Sequence, residues 1–372
     1  MTSSTRISVL VVTYNFEPYI EECVQSLVGQ TLKPYEIIIA DDLSTDNTRD
    51  KIEALAGRYP GLIVPCLPET KLGPAEIGNA GLDRIRGEWV SVMDGDDRWH
   101  PEKLEKEFLA IKKFPGAEIA YSNVRLINQH GSPTQIWHDD RKGLPPTGDV
   151  FTQTFSRQFF NNTGSIFRNH LVSQKAMRDI GLYYDARLNS FWDWDEKIRL
   201  TAKYQVAYSG GIYTDYRQHP GGMSHDRSDR NIVAMMEVYK KNKGLLSGRS
   251  LPERVFIMRH AESAIHELGV SINRASAEYT YEKIVGRLQQ VVADEPETES
   301  GVRQKAIAMI RPLYVQDIAE KLNGGQNIRA LESWIGYLKN DPNPIDLQIN
   351  LPAQLHHVLQ GTYRKMAQRM PQ

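Results

Sequence analysis

Five apolar, β-branched runs punctuate the first third of the chain: residues 7–14 (ISVLVVTY), 36–41 (EIIIAD), 62–67 (LIVPCL), 89–94 (WVSVMD) and 118–123 (EIAYSN). They recur roughly every 30 residues, about the length of a β-α-β unit. Their hydrophobicity is continuous rather than alternating, which suits strands covered on both faces. Helical patterns lie between them. Residues 17–28 place Ile20, Val24 and Leu27 on one face. Residues 45–56 open beside a candidate cap, Ser44 or Thr45. Residues 101–112 start at Pro101, with Leu104, Phe108 and Ile111 on one stripe. The pattern predicts an open α/β sheet flanked by helices, in which ligands bind beyond the carboxyl ends of the strands.

Three of those ends carry polar side chains: Thr13-Tyr14-Asn15, Asp41-Asp42 and Asp94-Gly95-Asp96-Asp97. On extended backbone Asp94 and Asp96 point to one face. Two carboxylates that close repel unless a cation sits between them. A hard divalent ion that also holds a diphosphate meets that need, since such sites use one or two carboxylates plus substrate phosphates. Tyr14 can stack on a base. Asp42 can accept an imino N–H, which uracil, thymine and guanine offer and cytosine does not. Turn and helix-capping work is the competing role for Asp41 and Asp42, expected of at least one of them.

Composition narrows the class. The chain has 372 residues, with 45 Lys+Arg against 46 Asp+Glu, so its net charge is -1. That balance gives no support to bulk nucleic-acid binding. Cys23 and Cys66 alone imply no disulfide framework, and a reducing compartment is compatible. The first residues run into a strand pattern without a signal-peptide core, and no apolar run reaches the ~18 residues a membrane helix needs. The expectation is a soluble cytoplasmic protein, with contact at the inner membrane face left open.

Taken in order, the motifs resemble the inverting nucleotide-sugar glycosyltransferases of family 2, which have the GT-A fold. The carrying residues are Val11–Asn15, Ser26–Thr31, Tyr35–Thr48, Gly87-Glu88-Trp89, Asp94–Asp97 and Pro101. Two later blocks extend the likeness: Asp193-Trp194-Asp195 followed by Ile198-Arg199-Leu200, and Tyr216-Arg217-Gln218-His219 with Ser224 beyond. The resemblance implies that Thr13, Tyr14 and Asp42 bind the nucleotide and that Asp94 lies near the ribose. It implies that Asp96 coordinates Mn²⁺ or Mg²⁺ on the diphosphate, that His219 completes the metal site or contacts the diphosphate, and that Asp97 holds the turn. Asp193 is the implied catalytic base, with Asp195 capping the helix that follows. Trp192 and Trp194 offer an apolar or sugar-stacking platform, and packing against the sheet is expected of at least one. The implied partners are a nucleoside-diphosphate sugar, UDP-linked by the Asp42 argument, and a glycan, lipid-linked or protein acceptor.

The chain departs from the family pattern in three places. Leu43 follows the Asp pair where Gly is common. Gly78 stands before Asn79 where Arg is common, leaving Lys71, Arg84 or Arg217 to supply that charge. Trp192 precedes Asp193 where Glu is common. After about residue 226 helical periodicity dominates, so the expected organisation is a catalytic domain over 1–226 and a helical region over 227–372, a candidate for oligomer contacts. The last helical segment carries Leu351, Leu355, Val358 and Leu359 beside Arg364, Lys365 and Arg369, and reads as a docked terminal helix. Two other classes remain: a nucleotidyltransferase on a similar sheet, and an inactive nucleotide-sugar-binding scaffold. No Gly-rich, cationic triphosphate loop opens the first helix, which weakens the former. The intact Asp94, Asp96 and Asp193 weaken the latter.

Overall fold

The computed structural model describes residues 5–160, 167–188, 190–220 and 229–250, together with Glu253 and Ile257. Ser224 and the helical segments expected beyond residue 257 lie outside the described residues. Strand β1 (Ile7–Thr13) pairs in parallel with β2 (Glu36–Asp41) and β4 (Trp89–Asp94), and β2 pairs in parallel with β3 (Ile63–Cys66). Helices α1 (Ile20–Val28), α2 (Thr48–Arg58) and α3 (Pro74–Leu82) connect these strands. Beyond β4 come β5 (Arg98–Trp99), α4 (Lys103–Lys113), β6 (Ala117–Asn128) and β7 (Pro133–Ile136). Then follow α5 (Phe151–Phe155), β8 (Leu171–Ser173), α6 (Gln174–Asp179), α7 (Trp192–Thr201), β9 (Gln205–Gln218) and α8 (Asp229–Asn242). The sheet order is β3-β2-β1-β4-β8-β6-β9-β5, with β7 on β6.

The alternation of β1 explains its continuous hydrophobicity. Ile7, Val9 and Val11 face a cluster that includes Ile20, Val24 and Leu27 of α1, Ile52 of α2 and Leu104 of α4. Leu10 faces a second cluster, with Ile77 of α3, Phe155 of α5, Trp194 and Ile198 of α7, and Met235 and Val238 of α8. Both faces are therefore core. The mixed half of the sheet is less regular. β8 is antiparallel to both β4 and β6, β6 and β9 run in parallel with register shifts, and the short β5 pairs with β9 at Arg98↔Asp215.

Three local expectations change. The turn before α2 is capped by Asp46, whose carboxylate accepts from Thr48 N (3.0 Å) and Thr48 Oγ1. Ser44 instead donates to Asp41 and accepts from Asn15 N. Asp195 does not cap α7, because the N–H groups of Trp194 and Asp195 bond the Phe191 carbonyl. The compact N-terminal unit runs Met1–Gly269, with Val270–Gln372 as the second, so α8 belongs with the sheet rather than with a region beginning at 227. Ala234, Met235 and Val238 bury the apolar stripe of α8 in the sheet's own core, which carries the boundary past α8.

Candidate active site

The parallel register sets the floor of the site. Thr13 lies opposite Asp41 and Val12 opposite Asp94, so the polar ends of β1, β2 and β4 finish level. Gly95 fits closely there: a Cβ at residue 95 would sit 3.0 Å from the Thr13 Cβ, so a larger residue would push the turn after β4 away from β1 by a few tenths of an ångström.

The carboxylates of Asp94, Asp96 and Asp97 offer ligand atoms within 4.8 Å of one another. Asp96 is buried. Its Oδ2 lies 3.0 Å from His219 Nε2, and its Oδ1 has no hydrogen-bond partner among the described residues. A buried, orphaned carboxylate oxygen beside two more acids and an imidazole is costly unless a cation completes it. The donor set, carboxylate oxygens with one imidazole, suits Mn²⁺ or Mg²⁺. The imidazole is wedged between Phe16 and Tyr19, with ring centroids 5.9 and 5.1 Å away. Asp97 holds the turn: its Oδ1 accepts from Arg217 N at 3.0 Å, linking β4's end to β9.

Nothing in the sequence marks out Arg168, which the structure brings to the acids. Its Nη2 donates to Asp94 Oδ2 and, at 3.3 Å, to Asp97 Oδ2, while its guanidinium lies 3.9 Å from the Tyr216 ring centroid. The acids surrounding it outweigh burial and hold its pKa above the ordinary arginine value. Burial pushes the Asp94 and Asp97 carboxyls up, Arg168 opposes it, and neighbouring acids add to it. No periodicity or spacing flags a lone Arg in the segment Phe167-Arg168-Asn169-His170.

On the nucleotide side, Asp42 Oδ1 accepts from Leu72 N (2.7 Å) and Gly73 N (3.1 Å), and Oδ2 from Gly73 N (3.1 Å). A carboxylate has about four acceptor sites, so one remains for a ligand. Asp41 takes the turn role, accepting from Ser44 and Arg49. Thr13 Oγ1 is buried without a partner among the described residues. Tyr14 is exposed, and Lys71 Nζ lies 3.5 Å from its ring centroid. A Cβ at Gly78 would stand 3.0 Å from a Tyr184 ring carbon, so the ring would have to give by a few tenths of an ångström to admit one. Asn79 clamps the same residue, with Nδ2 donating to Tyr184 O (3.0 Å) and Oδ1 accepting from Tyr184 N (2.8 Å).

Asp193 sits in the first turn of α7 with half its side chain exposed. Lys197, one turn on and almost fully buried, donates to Asp193 Oδ2 at 2.8 Å. Burial alone would raise this carboxyl, but Lys197, Arg168 and Arg157 together hold it below the ordinary value. Asp193 is therefore ionised at neutral pH and within electrostatic reach of Asp94. Asp195 is fully buried and accepts from Arg199 Nε (2.9 Å), Lys241 Nζ (2.9 Å) and Asn242 Nδ2 (2.8 Å), tying α8 to α7. Trp194 packs in the core and donates its indole N–H to Thr154 O, the structural role expected of one of the two tryptophans.

A parallel β3-β2-β1-β4 half-sheet, continued through antiparallel β8 and carrying acids at its carboxyl edge, is the GT-A architecture of nucleotide-sugar glycosyltransferases. Residues 8–181, just under half of the chain, match glycosyl transferase family 2. It is similar to the amylovoran biosynthesis glycosyltransferase AmsB of Erwinia amylovora, 35% identical over 197 residues, 52% of this chain and 62% of that one. An uncharacterized protein of Mycobacterium tuberculosis is 29% identical over 226 residues, and the match spans 60% of that relative's length and 59% of this chain's. Among solved structures, Staphylococcus aureus TarS 1-349 in complex with UDP-GlcNAc shares the fold, with a TM-score of 0.57 and 19% identity. The alignment covers 86% of this chain and 92% of that one. The Pyrobaculum calidifontis mannosyltransferase PcManGT, in complex with GDP-Man and Mn²⁺, aligns with a TM-score of 0.51 and 17% identity, over 86% and 89% of the two chains.

Proposed function

We propose that this chain is a metal-dependent inverting glycosyltransferase that moves a sugar from a UDP-linked donor to an acceptor hydroxyl. The observation that carries the reading is the buried, unpaired Asp96 Oδ1 beside His219, at the strand edge where Asp42 and Thr13 keep acceptor and donor sites open. Asp96 and His219 would hold the metal, with Asp94 and Asp97 contributing negative charge. A divalent cation there stabilises the charge that develops on a departing diphosphate. Asp193, ionised by its cationic neighbours, takes the proton of the attacking hydroxyl. A single displacement from the opposite face inverts the anomeric carbon. Proteins that share the fold bind nucleotide sugars, UDP-GlcNAc in TarS and GDP-Man with Mn²⁺ in PcManGT, which supports a nucleotide-sugar donor here.

Thermal shift and calorimetry with nucleoside diphosphates test the binding half. UDP plus Mn²⁺ should stabilise the chain more than CDP plus Mn²⁺, because cytosine lacks the imino proton. The missing charge-assisted hydrogen bond is worth ~1.5–3 kcal/mol. Asp96→Ala should abolish the Mn²⁺ dependence. Equal stabilisation by UDP and CDP removes Asp42 as base reader, and an undiminished Mn²⁺ dependence in Asp96→Ala removes the metal site. The chemical half is read as UDP release from a panel of UDP-sugars. Asp193→Asn should lower it about 10²–10⁴-fold with UDP binding little changed.

A further inference from the structure

We propose that Arg168 is a built-in cation of the donor site: it secures Asp94 and Asp97, leaves Asp96 for the metal, and binds the diphosphate even without metal. The inference rests on the nucleotide-sugar reading above and names a residue that reading does not need.

A guanidinium carries five N–H donors in a fixed fork. Arg168 uses Nη2 for Asp94 and Asp97 and Nε for Asn169 Oδ1 (3.3 Å), while Nη1 bonds nothing among the described residues. About a quarter of the side chain stays exposed. Its flat face rests on Tyr216, so the fork is oriented rather than free to swing. Two donors are therefore unspent on a fixed cation at the acidic strand edge.

The protein invests buried charge in placing this residue. Asn169, at φ 51, turns the chain in the left-handed region, and its Nδ2 donates to Val92 O (3.0 Å). The Asn169 carbonyl accepts from Ser91 Oγ (2.9 Å) and from Lys103 Nζ. Lys103 is fully buried, paired with Glu107 at 2.7 Å, and Glu107 in turn accepts from Ser122 Oγ (2.9 Å). A buried ion pair is weak evidence for stability. Here it fixes the peptide that carries Arg168 against β4, below the acids.

The other cations the sequence offers for this duty are committed elsewhere. Lys71 lies on the Tyr14 ring. Arg84 donates to Ala80 O on its own helix. Arg217 is buried, donating to Asp96 O, Asn128 O, Gln129 O and Glu22. Position 78 has no side chain to offer, and Tyr184 fills the space.

The test compares the full-length wild type with Arg168→Gln and Arg168→Lys. UDP binding is measured by calorimetry in EDTA and in saturating Mn²⁺, and Mn²⁺ binding without nucleotide by electron paramagnetic resonance. The wild type should bind UDP measurably in EDTA. Arg168→Gln should lose about tenfold or more of that metal-free binding and yet bind Mn²⁺ several-fold more tightly, because the acids lose their internal counter-charge. Arg168→Lys should recover part of both. Three outcomes overturn the inference and leave the donor reading standing: UDP binding confined to Mn²⁺ in the wild type, metal-free binding unchanged in Arg168→Gln, or Mn²⁺ and UDP affinities falling together. Absence of UDP binding in the wild type even with Mn²⁺ overturns the donor reading itself, and the inference with it.

Discussion

Lys197 decides how Asp193 titrates. It is the largest influence opposing burial on that carboxyl, and the two side chains touch at 2.8 Å. A depressed carboxylate pKa means the base is lost only as pH falls below the ordinary range, so turnover should be insensitive to this group between pH 5 and 8. Lys197→Met removes the strongest lowering influence and leaves Arg168 and Arg157 as the remaining ones. The acid limb of the kcat profile should then move to higher pH, and an unmoved limb would place the base elsewhere. Leu43 makes a second residue-level prediction. It sits at φ 58, where an L side chain costs roughly 1–2 kcal/mol. Leu43→Gly relieves that strain, partly offset by the wider unfolded ensemble of glycine, so the thermal midpoint should rise or stay level. The glycine common at this position in the family is thus a conformational requirement that Leu43 meets under strain. Much of the site was legible because its acids end strands. Arg168 was not, since it reaches Asp94 from 74 residues away and belongs to no periodic segment.

Among the elements, the parallel half of the sheet could be read from hydrophobicity because each of its strands is covered on both faces. The mixed half could not. β8 has three residues and β5 two, too short to show a period, and β9 carries Gly210 and Gly211 at positive φ in its middle, which reads as a turn. Yet β9 delivers Arg217 and His219 to the acids, so the motif at its end was visible while the strand was not. The α7–α8 junction gives an element-scale prediction. Asp195 receives two cations and an amide in a fully buried position. Asp195→Asn should cost about 2–3 kcal/mol, more than a lost cap, because buried partners are left under-satisfied. Turnover per folded molecule should survive, which separates this acid from Asp193. Paired measurements of denaturant midpoint and UDP release check both halves.

At the scale of the molecule, the extent of the first compact unit predicts where the chain can be cut. A chain ending after Gly269 keeps α8 and should bind UDP as the full chain does. One ending after residue 226 loses Ala234, Met235 and Val238 from the core and two of Asp195's partners. Burying such side chains is worth ~1.5–3 kcal/mol for each large one, a loss comparable with the whole stability of many domains. That shorter chain should fail to give a cooperative thermal transition. The Asn79–Tyr184 clamp joins segments 105 residues apart, with Gly78 beneath the ring. It makes the order of mutational steps matter. A side chain at 78 requires the Tyr184 ring to shift, whereas the same change beside a smaller residue at 184 does not. A change at one of the two sites should therefore alter the cost of a change at the other, so the pair should show non-additive effects on stability.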